Sequence, residues 1–329
     1  MTTSVSTKYS NPATFKRALI TGGNGNLGRL IAEDLLDLGV SVIKFDIPGT
    51  EPDKIRDDET IVTGDIRDRE QVRALFAEHQ PDVVVHLASL LSGSSAENPG
   101  AAWEINANAS FHLLELSAEF KVDQFFFAST MATYGDDVPD PMPEDTPQWP
   151  TNLYGATKVA VERAGVYFKH VHGLDFRCLR FPLVFSPFAP ASAVTAFPSH
   201  AFKAASDPNY DAVFKIPVEP HVGVSSMLLN DVITGTVKFM LTDKAALKQP
   251  VYSVHGYFVS AGEVLEEIQR RVPSFRAEFV IDNTVNKLLS GWPNVLVDDG
   301  ARRDWGWAPE YDFTASADWL MSYFKAQHL

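Results

Sequence analysis

The sequence predicts an α/β fold, a doubly wound parallel sheet followed by a smaller mixed C-terminal lobe. Short apolar strands alternate with amphipathic helices from Phe15 to Phe181, and this alternation is typical of a parallel sheet with helices on both faces. Beyond Phe181 the pattern is broken by Pro187, Pro190, Pro198, Pro217 and Pro220. We therefore expect a disordered tail over residues 1–13, the parallel-sheet domain over 14–182, and a partly interleaved substrate lobe over 183–329.

Composition narrows the class of protein. The chain has 329 residues, 45% of them hydrophobic, and a net charge of -14, so it offers no basic stripe for a nucleic acid. Its single cysteine, Cys178, excludes a disulfide framework and a cysteine metal site. No apolar run is long enough to span a membrane, and residues 1–13 lack the apolar centre of a signal peptide. These features predict a cytoplasmic enzyme that acts on a small molecule without a metal.

A glycine-rich turn follows the first predicted strand. Phe15 to Thr21 is apolar and runs into Gly22-Gly23-Asn24-Gly25-Asn26-Leu27-Gly28, after which a helix begins. Glycines permit a tight turn and close approach of the backbone to a pyrophosphate, which the helix N-terminus attracts. The strand–turn–helix context therefore predicts a dinucleotide site that includes Gly22, Gly25, Asn26, Leu27 and Gly28.

Further residues at the strand ends complete this predicted site. Asp46 ends the second strand, where a carboxylate accepts hydrogen bonds from the adenosine ribose and repels a 2′-phosphate, which favours NAD over NADP. Asp65 is placed to meet the adenine amino group. Asn106 lies inside a later predicted helix, and we expect it to be buried and functional. The alternative is that it is simply exposed to solvent. The other residues expected on the cofactor side are Ile66, Leu87, Ala88, Ser89 and Phe181.

The sequence predicts a helix over residues 153–172, which contains the pattern Tyr154-x-x-x-Lys158. The two side chains then lie one turn apart on one face. A phenol has an ordinary pKa of about 10, and a neighbouring ammonium group favours its ionised form. Such a tyrosine can accept the proton of an alcohol while hydride leaves the carbon. We therefore predict Tyr154 as the general base and Lys158 as the residue that lowers the pKa of Tyr154.

In this order along the chain, these residues resemble the extended short-chain dehydrogenase/reductases, a group that includes nucleotide-sugar epimerases and dehydratases. The residues that carry the resemblance are Gly22, Gly25, Gly28, Asp46, Thr130, Tyr154 and Lys158. It implies a Rossmann-type NAD-binding domain and a homodimer built from the two long helices. It also implies that Thr130, four residues before the pair Tyr134-Gly135, supplies a catalytic hydroxyl.

Within the group, three stretches are similar to the short-chain type of L-threonine 3-dehydrogenase: residues 86–92, residues 173–182, and Trp292-Pro293 with residues 301–307. The resemblance places Ser92, Thr195 and Trp292 with Thr130 and Tyr154 on the substrate side. Phe197 stands where that family has an aspartate facing the substrate's ammonium group. A buried ammonium group requires a charged partner, which phenylalanine cannot provide. With an apolar residue at this position the chain is similar to D-erythronate dehydrogenase, which acts on a hydroxy acid without an amino group.

The leading hypothesis is therefore an NAD-dependent dehydrogenase that oxidises the secondary hydroxyl of a small hydroxy or amino-hydroxy acid. The first alternative is a nucleotide-sugar 4-epimerase, which returns the hydride to the other face of the sugar. A dehydratase requires an acidic pair after the catalytic hydroxyl, and Thr130-Met131-Ala132 has none. The second alternative is a dinucleotide-sensing regulator without activity, which the combination of Thr130, Tyr154 and Lys158 disfavours.

Overall fold

The computed structural model describes residues 8–50, 55–191 and 193–327. The chain forms two compact units, and each unit is made of three segments. Unit 1 combines Met1–Thr133, Asn152–Arg180 and Ile233–Tyr252, and unit 2 combines Tyr134–Thr151, Phe181–Val232 and Ser253–Leu329. Residues 1–7 of the expected N-terminal tail lie outside the described residues, whereas Lys8 Nζ donates a hydrogen bond to Asp34 Oδ2 at 2.6 Å.

Within the described residues, the strands are β1 (Arg17–Thr21), β2 (Ser41–Asp46), β3 (Glu59–Thr63), β4 (Val83–His86), β5 (Gln124–Thr130), β6 (Asp175–Phe181), β7 (Leu183–Phe185), β8 (Phe214–Ile216), β9 (Gly223–Leu228), β10 (Val251–Ser253), β11 (Tyr257–Ser260) and β12 (Ala277–Phe279). The α-helices of the same part of the chain are α1 (Asn26–Asp37), α2 (Arg69–His79), α3 (Ser92–Glu97), α4 (Pro99–Trp103), α5 (Ser110–Glu119), α6 (Leu153–His172), α7 (Phe197–Ser206), α8 (Leu229–Leu241), α9 (Ala261–Arg271), α10 (Asn283–Ser290), α11 (Asp299–Trp305) and α12 (Phe313–Ala326).

Unit 1 is built on a seven-stranded parallel sheet with the strand order β10-β6-β5-β4-β1-β2-β3, which confirms the predicted fold class. Its central strands are apolar along their whole length because helices cover both faces. The four residues of β4 are all buried, and Phe125 and Phe127 of β5 have at most 1% of their surface exposed. The ring of Phe125 stacks on Phe176 of β6, with centroids 6.0 Å apart.

The register of this sheet places the predicted cofactor residues at one edge. Thr21 pairs with Phe45 of β2 and with His86 of β4, and His86 pairs with Phe127 of β5. Parallel strands therefore end side by side, and ligands of such sheets bind outside the carboxyl ends of the strands. Gly22, Asp46, Ala88 and Thr130 lie at or just beyond these strand ends.

Two segments before α5 differ from the sequence prediction. Residues 92–95 are small and polar, a composition typical of a loop, but they begin the short helix α3. The expected long helix containing Asn106 is interrupted by a π-helical segment, Glu104–Ala109, between α4 and α5. π-Helical turns are frequent at functional sites. The spacing of apolar and polar residues along the sequence does not distinguish them from an ordinary α-helix.

Unit 2 has a mixed three-stranded sheet in the order β11-β9-β7, in which β11 runs antiparallel and β7 parallel to β9. A second sheet pairs β12 with β8 in parallel. The core is rich in aromatic rings: Phe185 contacts Tyr257 at 5.8 Å and Phe313 at 6.2 Å between centroids. Among the described residues, no helix combines the length and the hydropathy needed to cross a membrane.

Gly165 in the middle of α6 leads to a first prediction. A Cβ at this position would come within 2.2 Å of the ring of Phe176, which is fully buried. We expect Gly165→Ala to destabilise the protein by about 1–3 kcal/mol through overpacking, although alanine favours helices over glycine by about 1 kcal/mol. Thermal denaturation measures this loss. The double variant Gly165→Ala/Phe176→Leu should recover part of it, and a Gly165→Ala protein as stable as the wild type would contradict the packing argument.

Candidate active site

The glycine turn between β1 and α1 is packed against backbone on several sides. A Cβ on Gly22, which has φ 70°, would lie 2.9 Å from the backbone nitrogen of Ala88. A Cβ on Gly28 would lie 2.3 Å from the carbonyl oxygen of Gly22. These glycines therefore permit a turn so tight that no side chain can replace their hydrogen atoms without moving the backbone.

The same turn fits the diphosphate and ribose of a dinucleotide. Helix α1 has Gly25 at its N-cap, without a side-chain capping bond and without an acidic residue in its first turn, so its positive end is open to an anion. Asp46 ends β2 and its Oδ2 accepts the backbone N–H of Asn24 at 2.9 Å. Among the described residues, Asn24 Oδ1 is buried without a hydrogen-bond partner. The open acceptor, Asn24 Oδ1, lies near Asp46 and is consistent with a hydrogen-bond donor that a ligand supplies.

Asp65, which follows β3, has a partner in the structure that the sequence did not predict. The carboxylate of Asp65, expected at the adenine amino group, forms an ion pair with Arg67 at 2.5 Å. The hydrogen bonds from Arg67 lower the pKa of Asp65. Ile66 is buried in the core with Ile43 and Phe45. A role of Asp65 at the adenine stays a prediction, and in the structure Arg67 engages its carboxylate.

Asn106 is buried in the π-helical segment and holds the chain that follows β4. Its Oδ1 accepts the backbone N–H of Leu90 at 2.7 Å, and its Nδ2 donates to the carbonyl of Leu90 at 2.9 Å and to Thr157 Oγ1 at 3.4 Å. Leu87, Ala88 and Ser89 are half-buried just upstream. The structure therefore gives Asn106 a positioning role for this segment and for α6, while a direct cofactor contact stays a prediction.

His86 at the end of β4 connects the glycine turn with the π-helical segment. Its Nδ1 lies 2.6 Å from Thr21 Oγ1, and its Nε2 lies 2.7 Å from Ser110 Oγ. Ser110 donates its own proton to the carbonyl of Asn106 at 2.7 Å, so it accepts from His86, which we infer to carry its proton on Nε2. Burial, assisted by the charge of Lys158, lowers the pKa of His86 to about 3, and the imidazole is neutral. Sequence reasoning gave this histidine no role.

Thr130, the last residue of β5, is brought to the N-terminal half of α6 by two hydrogen bonds that flank it. Lys158 Nζ donates to the carbonyl of Ala128 at 2.9 Å, and Asn152 Nδ2 donates to the carbonyl of Ala132 at 3.3 Å. Tyr154 lies between Asn152 and Lys158 along the helix. The structure therefore places the three predicted catalytic residues, Thr130, Tyr154 and Lys158, in one region of unit 1.

A lowering of the Tyr154 pKa by Lys158 stays a prediction, and burial has the opposite effect in the protein alone. Burial raises the pKa of Tyr154 to about 12 and lowers the pKa of Lys158 to about 8. The Lys158 ammonium donates to Ala128 and lies 4.7 Å from the ring centroid of Phe127 and 5.5 Å from that of Tyr154. Desolvation of the phenol therefore sets the direction of its pKa shift in the protein without a bound cofactor.

The residues predicted on the substrate side are distributed over both units. Ser92 of unit 1 is exposed at the start of α3. In unit 2, Thr195 and Trp292 are half-buried, and Phe197 begins α7 with 6% of its surface exposed. Phe181, which was predicted on the cofactor side, is buried. Phe197 lines a small apolar cavity with Leu183, Phe185, Val224, Val259, Val264 and Leu289. Phe197 thus contributes an apolar surface within unit 2, and the substrate roles of these residues stay predictions.

Comparison with known proteins decides the family. The sequence profile of the NAD dependent epimerase/dehydratase family matches residues 18–217. The chain belongs to this family. The cofactor of NAD dependent epimerases and dehydratases is NAD, which confirms the cofactor predicted from the glycine turn and Asp46. The turn residues 22–28 and Asp46 would hold it, in agreement with the uncapped helix N-terminus and the open acceptor of Asn24.

Similar proteins within the NAD dependent epimerase/dehydratase family include L-threonine 3-dehydrogenases. The mitochondrial L-threonine 3-dehydrogenase of Sus scrofa is 28% identical over 325 residues, which are 98% of this chain and 86% of that protein. The structure of L-threonine dehydrogenase from Phytophthora infestans superposes with a TM-score of 0.86 at 28% identity, covering 95% of this chain and 100% of that one. A monomeric L-threonine 3-dehydrogenase from a metagenome has a TM-score of 0.86 at 26% identity, covering 95% and 100% of the two chains.

Proposed function

We propose that this protein is an NAD-dependent dehydrogenase that oxidises the secondary hydroxyl of a small hydroxy or amino-hydroxy acid. The observation that carries the proposal is the pair of hydrogen bonds that flank Thr130 and Tyr154, from Lys158 to Ala128 and from Asn152 to Ala132. They support a shared location for a hydroxyl, a phenol and an ammonium group at the carboxyl end of the sheet. The buried single cysteine supports a reducing compartment such as the cytoplasm.

Each residue has a distinct part in the proposed reaction. Thr130 Oγ1 accepts the N–H of Ala132 at 3.1 Å, which leaves its proton free to bond the reacting oxygen of the substrate. Tyr154 acts in its ionised form: the phenolate accepts the alcohol proton during oxidation, and the phenol returns it during reduction. Lys158 supplies the positive charge that stabilises the phenolate as it forms. When bound, NAD accepts the hydride, and the protein contributes orientation and electrostatics.

The substrate is proposed from the chemistry of Phe197 and the likeness to L-threonine dehydrogenases. An ammonium group without a carboxylate partner is costly to bury, and Phe197 presents an apolar surface in unit 2. This favours a carboxylic acid with a hydroxyl group and no amino group over L-threonine itself.

The proposal is tested by the appearance of NADH absorbance with purified protein, NAD and a panel of alcohols. The panel holds L-threonine, D-erythronate, 3-hydroxybutyrate, serine and bulkier β-hydroxy acids, and sugar nucleotides are assayed separately for epimerisation. Turnover restricted to acids without an amino group supports the proposal in full. Strong turnover of L-threonine would refute the role given to Phe197, and turnover of sugar nucleotides alone would refute the dehydrogenase proposal in favour of an epimerase.

We further propose a homodimer formed through α5 and α6. An apolar patch there includes Phe111, 43% exposed, Tyr167, 52% exposed, and Val171, 53% exposed. Phe168 connects it, with ring centroids 5.5 Å from both Phe111 and Tyr167. Contiguous exposed apolar residues of this kind mark protein interfaces, and a second copy of the chain presents a matching patch.

A charge in this patch is expected to separate the dimer. We predict that Phe111→Glu/Tyr167→Glu elutes as a monomer in size-exclusion chromatography with light scattering, because the carboxylates would be buried in an apolar interface at a cost of several kcal/mol. The matched control is Val213→Glu, a charge at a 41% exposed apolar position of unit 2, which should leave the mass unchanged. A wild-type mass of one chain, as in the monomeric relative, would overturn the proposed dimer.

A further inference from the structure

A buried carboxylate lies one helical turn beyond Lys158. Glu162 of α6 is fully buried and forms an ion pair with Arg180 of β6, whose Nη2 lies 2.6 Å from Glu162 Oε2. Arg180 Nε lies 3.0 Å from Oε1 and 3.1 Å from Oε2. Ser129 of β5 donates its hydroxyl to Oε1 at 2.5 Å. Arg163, an exposed residue, reaches Oε2 at 3.4 Å.

This carboxylate connects the strand that carries Thr130 with the helix that carries Tyr154. Ser129 directly precedes Thr130, and Ala128 before it accepts the Lys158 ammonium at 2.9 Å. Two adjacent residues of β5 are therefore bonded to two successive turns of α6. Residues four apart share one face of a helix, so Tyr154, Lys158 and Glu162 form one row along α6.

The charges around Lys158 are few. Glu162 of α6 and Arg180 of β6 form an ion pair, Cys178 of β6 is neutral because burial raises the pKa of its thiol, and His86 of β4 is neutral because burial lowers its pKa to about 3. Tyr154 carries its proton. Burial lowers the pKa of Lys158 to about 8, and the groups that oppose this effect are Cys178 first and Glu162 second.

We propose that Glu162 is a positioning residue for the reaction, which fixes the strand end bearing Thr130 through Ser129 and provides a negative charge one turn from Lys158. The inference rests on the proposed function for its catalytic consequence. The electrostatic effect of Glu162 on Lys158 does not depend on any substrate. Without the Glu162 carboxylate, Lys158 should lose its proton at a lower pH. A neutral Lys158 cannot stabilise the Tyr154 phenolate, so alkaline activity would decline at a lower pH as well.

The titration of Lys158 tests this directly. The ¹³Cε resonance of Lys158 is followed against pH in protein labelled with ¹³C-lysine, and its absence in Lys158→Met identifies it. In the wild-type protein the midpoint is expected near pH 8, and in Glu162→Gln we expect a midpoint lower by about one unit or more, since a nearby opposite charge is removed. An unchanged midpoint in Glu162→Gln would overturn the electrostatic part of the proposal.

Two variants separate this effect from simple loss of stability. Asp175→Asn is the matched control, because Asp175 forms a buried ion pair with Arg177 at the other end of the same strand, at 2.7 Å, and it should leave the Lys158 midpoint unchanged. An equal shift in Asp175→Asn would refute the proposal. If Glu162→Gln does not fold, Glu162→Met/Arg180→Met keeps the site apolar, which cores tolerate. It should lower the midpoint by less than Glu162→Gln does, because the loss of the Arg180 cation offsets part of the loss of the carboxylate, and an unchanged or raised midpoint would refute the proposal.

The positioning of Thr130 is tested by Ser129→Ala. This variant keeps the ion pair and should keep the Lys158 midpoint, while kcat falls about tenfold, because Thr130 loses its fixed orientation, and the dissociation constant for NAD is unchanged. An unchanged kcat would refute the positioning of Thr130. If no substrate is found for the wild-type protein, the proposed function fails, whereas the Lys158 titration remains measurable and decides the electrostatic part on its own.

Discussion

Tyr154→Phe is expected to lower kcat for alcohol oxidation by roughly 10²–10⁴-fold, the contribution of a well-placed general base. The substitution removes one oxygen atom and retains the ring, so the packing against α6 and β5 is preserved. NAD affinity, measured by isothermal titration, should stay close to that of the wild-type protein. A variant that turns over at the wild-type rate would refute the assignment of Tyr154 as the base.

The pH dependence and a matched control complete this prediction. Because burial raises the pKa of Tyr154 to about 12, the fraction of phenolate rises with pH, and wild-type oxidation should accelerate through the neutral range until Lys158, with a pKa near 8, loses its charge. Tyr167→Phe removes a hydroxyl from an exposed tyrosine of the same helix and should leave both kcat and its pH profile unchanged. A rate independent of pH in the wild-type protein would contradict the phenol as the titrating base.

Gly28→Ala is expected to weaken NAD binding by on the order of 100-fold or more. Its Cβ would lie 2.3 Å from the carbonyl oxygen of Gly22 and 2.7 Å from the Cα of Gly23. Both neighbours are backbone atoms, so the turn itself has to move. Each charge-assisted hydrogen bond from the backbone to a phosphate is worth about 1.5–3 kcal/mol, and displacement of the turn removes more than one.

The matched control is Gly100→Ala in α4, where an added Cβ meets no atom within 4 Å. It should leave the dissociation constant for NAD unchanged and stabilise the helix by about 1 kcal/mol at most. Circular dichroism of Gly28→Ala establishes that the sheet still forms. A folded Gly28→Ala protein with wild-type affinity would show that the turn does not hold the diphosphate.

The sheet was predictable because its strands are short, apolar and interrupted by turn residues. The run 82–88 and the three phenylalanines of β5 can be buried only in a parallel sheet covered on both faces. Asp68 directly precedes α2, a position where aspartate commonly caps a helix, and its side chain accepts the N–H of Gln71 at 3.0 Å. Local patterns of this kind depend on neighbours in sequence, so they survive without knowledge of the tertiary structure.

The electrostatics of the site were not predictable in the same way. The spacing of Tyr154 and Lys158 indicated an ammonium beside a phenol, but burial raises the pKa of Tyr154, and the Lys158 ammonium donates to Ala128, a residue thirty positions away. Glu162 was missed for the same reason: its partners Ser129 and Arg180 come from two other strands. A carboxylate one turn beyond the Tyr-x-x-x-Lys pattern was the available signal, because a glutamate in the buried row of a helix requires a cation.

The edge strand β10 has a consequence for biosynthesis. This strand lies beside β6 in the sheet, and the backbone N–H of Cys178 donates to the carbonyl of Pro250 at 2.8 Å. The partners are separated by about seventy residues, most of which belong to unit 2. The ribosome must therefore release the segment around residue 253 before β10 can pair with β6 in the sheet. Contacts between residues so distant in sequence slow folding. Until then the outer edge of β6 lacks this partner, and an unpaired strand edge is a template for association with other chains.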